Sequence, residues 1–104
     1  MKMVVVTTVE EYSDAIRKVF AKNKVQFYSE SEMKNFRLVE NDESDNWFGS
    51  AKHLIAGHIL FTFADEETAD RLIENIKKLS ADNNFESPVR VFQLNVEKFF
   101  MNMN

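Results

Sequence analysis

Lys34, Arg37 and Arg90 fall at expected strand ends, beside the two longest polar stretches of the chain. The planar fork of an arginine suits two-pronged contact with phosphate or carboxylate oxygens, so these residues point to an anionic ligand. The competing reading is ordinary surface charge. No glycine-rich phosphate loop is present to help them, because Gly49 and Gly57 are the chain's glycines. A second group is acidic. Glu40, Asp42, Glu43 and Asp45 precede His53, and together they could hold a hard divalent cation or zinc. The same acids also suit a solvated loop kept extended by its own charge. The 42–45 run lacks the glycine and the closing glutamate of an EF-hand loop. His53 and His58 lie five positions apart on a strand-like segment, which sends them to opposite faces and prevents a simple chelate. Glu30 and Glu32 share a strand face and could divide acid–base work, but carboxylates at that spacing commonly guard an edge strand against aggregation. With no cysteine there is no disulfide, thiolate site or thiol nucleophile.

The scale of the chain limits what can hold these groups. Its 104 residues fit one domain, 1–104, and ten Phe within a 44% apolar composition supply a core. A net charge of −4 argues against a nucleic-acid partner. The run from Leu54 to Leu60 is broken by Gly57 and His58 and is too short to cross a bilayer. Met1 to Val6 is too short for a signal peptide. A soluble, cytoplasmic protein is expected.

The hydrophobic pattern gives the elements. Met3 to Thr7 is a β-branched run expected to be a buried strand. Thr8 and Glu11 match a capping box, followed by Tyr12, Ala15, Ile16, Val19 and Phe20 at helical spacing, so a helix is predicted over 10–22 with a left-handed stop at Asn23. Residues 25–39 are a longer, more polar strand, expected at an edge. Residues 54–64 are strongly strand-like, with Ile55, Ile59, Phe61 and Phe63 on one face. Asp65 is an N-cap for a helix carrying Ala69, Leu72, Ile73, Ile76 and Leu79, with Lys77 and Lys78 in its last turn. A turn-rich connection over 80–88 leads to a last strand over 89–99, followed by an apolar tail, 99–104. The order βαββαβ predicts an α+β, ferredoxin-like sandwich: an antiparallel sheet, two helices on one face, and the first and third strands central. The other face has no helix to cover it. His58, Leu60, Thr62, Val89 and Val91 are expected there, under a partner subunit. The loop from about 39 to 52 is long for a compact domain, and loops of that kind usually carry function.

Two stretches carry a resemblance. Ser31-Glu32-Met33-Lys34-Asn35-Phe36-Arg37 is similar to the Thr-Glu-Val-Lys-Gly-Phe-Gly that leads into the T-loop of nitrogen-regulatory PII signal-transduction proteins. Val89-Arg90-Val91-Phe92, with Val96-Glu97 beyond, resembles the Gly-Lys-Ile-Phe and Val-Glu of their last strand. The element order and the positions of both loops match as well, so the chain looks like a divergent PII-like protein. That resemblance implies a non-enzymatic homotrimer with its sheets facing inward. It implies ATP or ADP in clefts between subunits, and a loop that docks on a membrane transporter or an enzyme. Ser31 and Phe36 would line the base side of the cleft, and Arg90 would stand where the family has a phosphate-contacting lysine. Trp47 and Phe48 would anchor a protein partner.

The chain also departs from the family pattern. Asn35 and Arg37 stand where the family has glycine, and Val39 falls near the glutamine that helps hold magnesium and 2-oxoglutarate. The Gly-rich loop before the last strand is replaced by Ser80 to Pro88. Three rivals share the fold class. A trimeric protein of the divalent-cation tolerance type would use the loop acids and His53 for metal. An ACT-like sensor would need a glycine-containing ligand turn. An acylphosphatase-like enzyme would need an arginine in a loop after the first strand, where Thr7-Thr8-Val9-Glu10 has none.

Overall fold

The computed structural model describes residues 1–38 and 51–102, with side chains for 1–36 and 55–102. Strand β1 (Lys2–Val9) is followed by a 3-10 turn (Glu10–Tyr12), helix α1 (Ser13–Lys22) and strand β2 (Ser29–Leu38). Strand β3 (Ala51–Ala64), helix α2 (Glu66–Asp82) and strand β4 (Arg90–Asn95) complete the chain. The sheet order is β2-β3-β1-β4 and every neighbouring pair is antiparallel. This is the expected ferredoxin-like α+β arrangement, with β1 and β3 central.

Alternation along the strands decides what is buried. Val4 and Val6 of β1 and Leu60 of β3 meet Ile16, Val19 and Phe20 of α1 and Ala69, Leu72 and Ile76 of α2 in one core. Both helices place these residues on one stripe, and β-branched valines suit the pleated strand between them.

Register revises the reading of the uncovered face. Val4 pairs with Thr62, Val6 with Leu60 and with Val91, and Thr8 with His58, so His58, Leu60, Thr62 and Val91 share the helix face. Val89 packs against the same core. The open face instead carries Met3, Val5, Ile59, Phe61, Phe63, Phe92 and Leu94, through the pairs Met3–Phe63, Met3–Leu94, Val5–Phe61, Val5–Phe92 and Thr7–Ile59. Phe63, Phe92 and Leu94 are between 41% and 48% exposed. Both faces of β3 are rich in apolar residues, so periodicity alone could not tell which one the helices cover.

Three helix ends also differ from expectation. Thr8 is still in the ladder of β1, and its hydroxyl donates to the Val9 carbonyl at 3.1 Å, so it caps nothing. The turn is closed instead by buried Ser13, whose hydroxyl donates to the Glu10 carbonyl at 2.7 Å. Asn23 keeps a negative φ and caps α1 through its side chain, Nδ2 to the Val19 carbonyl at 2.8 Å, while Lys24 makes the left-handed step at φ 62. Helix α2 runs on to Asp82, so Lys77 and Lys78 lie in its body and its last turn holds no basic residue. Asp65 caps that helix as expected, accepting from the Thr68 N–H at 2.8 Å.

Strand β3 outruns its inner neighbour. β1 pairs with residues 57–64 of β3, whereas 51–56 pair with β2 alone. The β2–β3 ribbon therefore projects past the four-stranded sheet, with an irregularity between Arg37 and Leu38. Residues 39–50 join its two strands and lie outside the described residues.

Candidate functional site

Where the ribbon leaves the sheet, a depression of about 500 Å³ opens at the end of β1. Thr7, Thr8 and Val9 line it from β1, Asn35 and Phe36 from β2, Ile55 from β3, and Pro88 and Arg90 from the start of β4. Each position has a local cause. Arg90 opens β4 opposite Thr7, which puts it on the open face beside the central strand. Phe36 is 55% exposed because β1 ends before reaching its level. Gly57 lies beneath Asn35. A Cβ there would come well under 3.0 Å from the Thr8 carbonyl oxygen and from Asn35 Nδ2, so glycine permits the approach of both. Asn35 Nδ2 donates to the Ile55 carbonyl at 3.2 Å.

The connection that delivers Pro88 and Arg90 is fastened to the 3-10 turn. Tyr12 stacks on Phe85 with ring centroids 3.8 Å apart and 6° between planes. Its Oη accepts the backbone N–H groups of Glu86 and Ser87 at 3.1 and 3.2 Å. An apolar ring with a polar tip thus replaces glycine flexibility as the means of shaping this segment.

On the helix face behind the ribbon lies a second depression, of about 580 Å³, lined by Glu10, Glu32, Met33, Lys34, Ala56, Gly57 and His58. His58 Nδ1 lies 2.6 Å from the hydroxyl of Ser13. That hydroxyl gives its single proton to the Glu10 carbonyl, so Nδ1 is the donor, and the ring ties β3 to the turn. Ser13 is 2% exposed, which makes it a strut and not a nucleophile. Beside this depression Arg17 grips Glu30 with two bonds of 2.8 and 2.6 Å and reaches Asp14 at 2.5 Å. The hydrogen bond from Arg17 is the largest cause of a Glu30 pKa below the usual carboxylate range. The Glu30–Glu32 pair is therefore split: Glu30 is a structural partner of α1, and Glu32 stands opposite His58.

Phe36 and Arg90 both line the first depression, Arg90 from the open face that Asn35 shares and Phe36 from a position whose side chain alternates to the face of Lys34. Lys34 lines the second, on the other side of the sheet. Ser31 lines neither; it pairs with Ile59 and its hydroxyl donates to the Glu32 carbonyl at 3.1 Å. Arg37 stands opposite His53 in the ladder, where the backbone alone is described. Glu40, Asp42, Glu43, Asp45, Trp47 and Phe48 lie outside the described residues. Among the described residues no group of three or more His, Cys, Asp or Glu side chains is placed to hold a metal ion, and no helix is long and apolar enough to cross a membrane. Thr7, Asn35 and Pro88 were not legible as lining residues, because their meeting depends on where β1 ends. Tyr12 reads from sequence only as one apolar position of a helix stripe.

No protein-family model and no curated protein matches the chain. Solved structures do. A protein of Thermus thermophilus described as PII-like signaling superposes with a TM-score of 0.64 at 16% identity, over 91% of this chain and 85% of that one. The nitrogen regulatory PII-like protein CPII of Thiomonas intermedia, solved bound to ADP, AMP and bicarbonate, superposes with a TM-score of 0.60 at 11% identity, over 95% of this chain and 94% of that one. The fold of this chain is the fold of PII-like signalling proteins.

Proposed function

We propose that the chain is a non-enzymatic PII-like regulatory protein. In this reading a nucleotide or other anionic ligand binds in the depression of Phe36 and Arg90, and the ribbon passes its presence on to the 39–52 loop. The meeting of the Arg90 guanidinium and the Asn35 amide on the open face at the root of that ribbon carries the reading. The guanidinium offers a two-pronged phosphate contact and the amide a hydrogen-bonding contact for the rest of the ligand. A ligand there touches β2, β3 and the start of β4 at once, so it favours one ribbon geometry over others, which is how binding shifts a population. That one neighbour is solved with ADP, AMP and bicarbonate supports the class of ligand.

The open sheet face supports self-association. A contiguous apolar surface of Met3, Val5, Phe61, Phe63, Phe92 and Leu94 is a liability on a monomer and an interface core on an oligomer. A homotrimer would close this face and bring a neighbour's surface against the depression. Trp47 and Phe48 are then the anchors for a transporter or enzyme partner.

Native mass spectrometry and thermal melting with ADP, AMP, ATP, bicarbonate and divalent cations test the reading. A nucleotide at ~100 times its dissociation constant adds roughly 2.7 kcal/mol to stability, and Arg90→Ala should remove that shift. A trimer stabilised by metal alone would move the site to the loop acids and His53. A monomer indifferent to every ligand would sink the proposal.

A further inference from the structure

The first depression has two polar ends, and their separation says what shape of ligand it takes. Arg90 lies at the level of Thr7 and Ile59, on β4, while Asn35 lies at the level of Ile55, on β2. Three strand spacings and four residue steps put their Cα positions roughly 20 Å apart in a flat sheet. Once both side chains reach inward over a twisted sheet, on the order of 10 Å separates the polar groups. A phosphate or bicarbonate ion cannot bridge that gap. A nucleoside phosphate can, with its anionic end on Arg90 and its ring by Asn35.

Asn35 is oriented for one kind of contact. A carbonyl oxygen can only accept, so it is the amide nitrogen of Asn35 that faces the Ile55 carbonyl at 3.2 Å. The opposite pole, Oδ1, is the acceptor offered to a ligand, and among the described residues it meets no donor. Gly57 beneath keeps the amide low against the ribbon, where a Cβ would push it away. Arg90 supplies only donors, so the depression pairs a donor end with an acceptor end.

Resting on the ligand class proposed above, we infer that Asn35 is the base-reading residue of this site. Its Oδ1 accepts from the exocyclic amine of a nucleobase, so the site discriminates an amino-bearing base from one without the amine. A neutral hydrogen bond of this kind sets the discrimination at about 3- to 10-fold.

Calorimetry with two probes tests this: ADP, and purine riboside 5′-diphosphate, which keeps the ring, ribose and phosphates but lacks the amine. The wild-type chain should bind ADP about 3- to 10-fold more tightly than the analogue. Asn35→Ala should bring the two within about twofold by weakening ADP alone, with its melting temperature confirming the fold. Asn35→Ser, whose hydroxyl stops short of the base, should equalise them too and serves if the alanine variant does not fold. Arg90→Ala should weaken both probes and preserve their ratio. An undiminished preference for ADP in the Asn35 variants overturns the assignment of Asn35 and leaves the nucleotide site standing. Failure of the wild-type chain to bind either probe overturns both.

Discussion

Replacing Gly57 by alanine adds one methyl group and should destabilise the chain. Two opposing effects can be weighed. Removing a strand glycine lowers the entropy of the unfolded chain, a gain of roughly 0.5–1 kcal/mol. Against it, the new Cβ falls well inside contact distance of the Thr8 carbonyl oxygen and of Asn35 Nδ2. The Asn35 amide sits at the end of a side chain and can rotate away. The Thr8 oxygen is backbone, fixed by the ladder in which Thr8 pairs with His58. Overpacking against an immovable group costs about 1–3 kcal/mol, and more when backbone must shift. The loss therefore wins by roughly 1–2 kcal/mol, which for a domain of this size lowers the melting temperature by on the order of 10 °C. Thermal melts followed by circular dichroism, at one protein concentration so that assembly does not move the midpoint, give the number. A Gly57→Ala chain melting within about 2 °C of wild type would refute the close approach at this point, and with it the seat of Asn35.

Three other outcomes follow from described contacts. Tyr12→Phe keeps the stack on Phe85 but removes the acceptor of the Glu86 and Ser87 N–H groups, so amide exchange at those two residues should speed up roughly 5- to 10-fold while exchange in β1 stays unchanged. Glu30, held by Arg17, and Asp65, held by the Thr68 N–H, both have folded pKa values below their ordinary 4.5 and 3.8. Their stabilisation is present above those ordinary values and is lost as pH falls through the lower folded ones, so the urea midpoint should drop in acid, and less steeply in Arg17→Gln. Phe92→Glu sets a charge on the open face beside Val5 and should shift native mass toward the monomer without unfolding the chain; an unchanged mass would exclude that face from the interface.

Much of the architecture was legible because its signals are local. The valine run of β1, the helical stripes and the Asp65 cap each depend on a few neighbouring residues, and the element order followed from them. What stayed hidden depends on pairing. Which face of β3 the helices cover turns on register, and Ile55, Ile59, Phe61 and Phe63 are as apolar as the residues that are buried. Phe36 and Arg90 were singled out through resemblance, but the other residues that line the same depression meet because β1 stops at Val9 while β3 does not. Ser13 and His58 lie 45 positions apart and no spacing rule would pair them. Thr8 misled because a hydroxyl just before a helical stripe suits a cap and a strand end equally well, and the ladder claimed it.

The projecting ribbon has a consequence for how such a chain can change over generations. Residues 51–56 of β3 pair in the ladder with β2 and not with β1, and Leu38 stands opposite Ala51, so the two ends to be joined beyond Leu38 are already side by side. Lengthening a connection between such fixed ends costs little, roughly 0.6 kcal/mol for each doubling, so the segment there can be rewritten without disturbing the core. The depression at the ribbon's root stays under the constraint of Gly57, Asn35 and Arg90. In the proposed function, input and output could therefore drift apart at different speeds: a lineage would keep one ligand and acquire new clients by exchanging a single stretch of chain, and a laboratory graft at 39–50 would do the same.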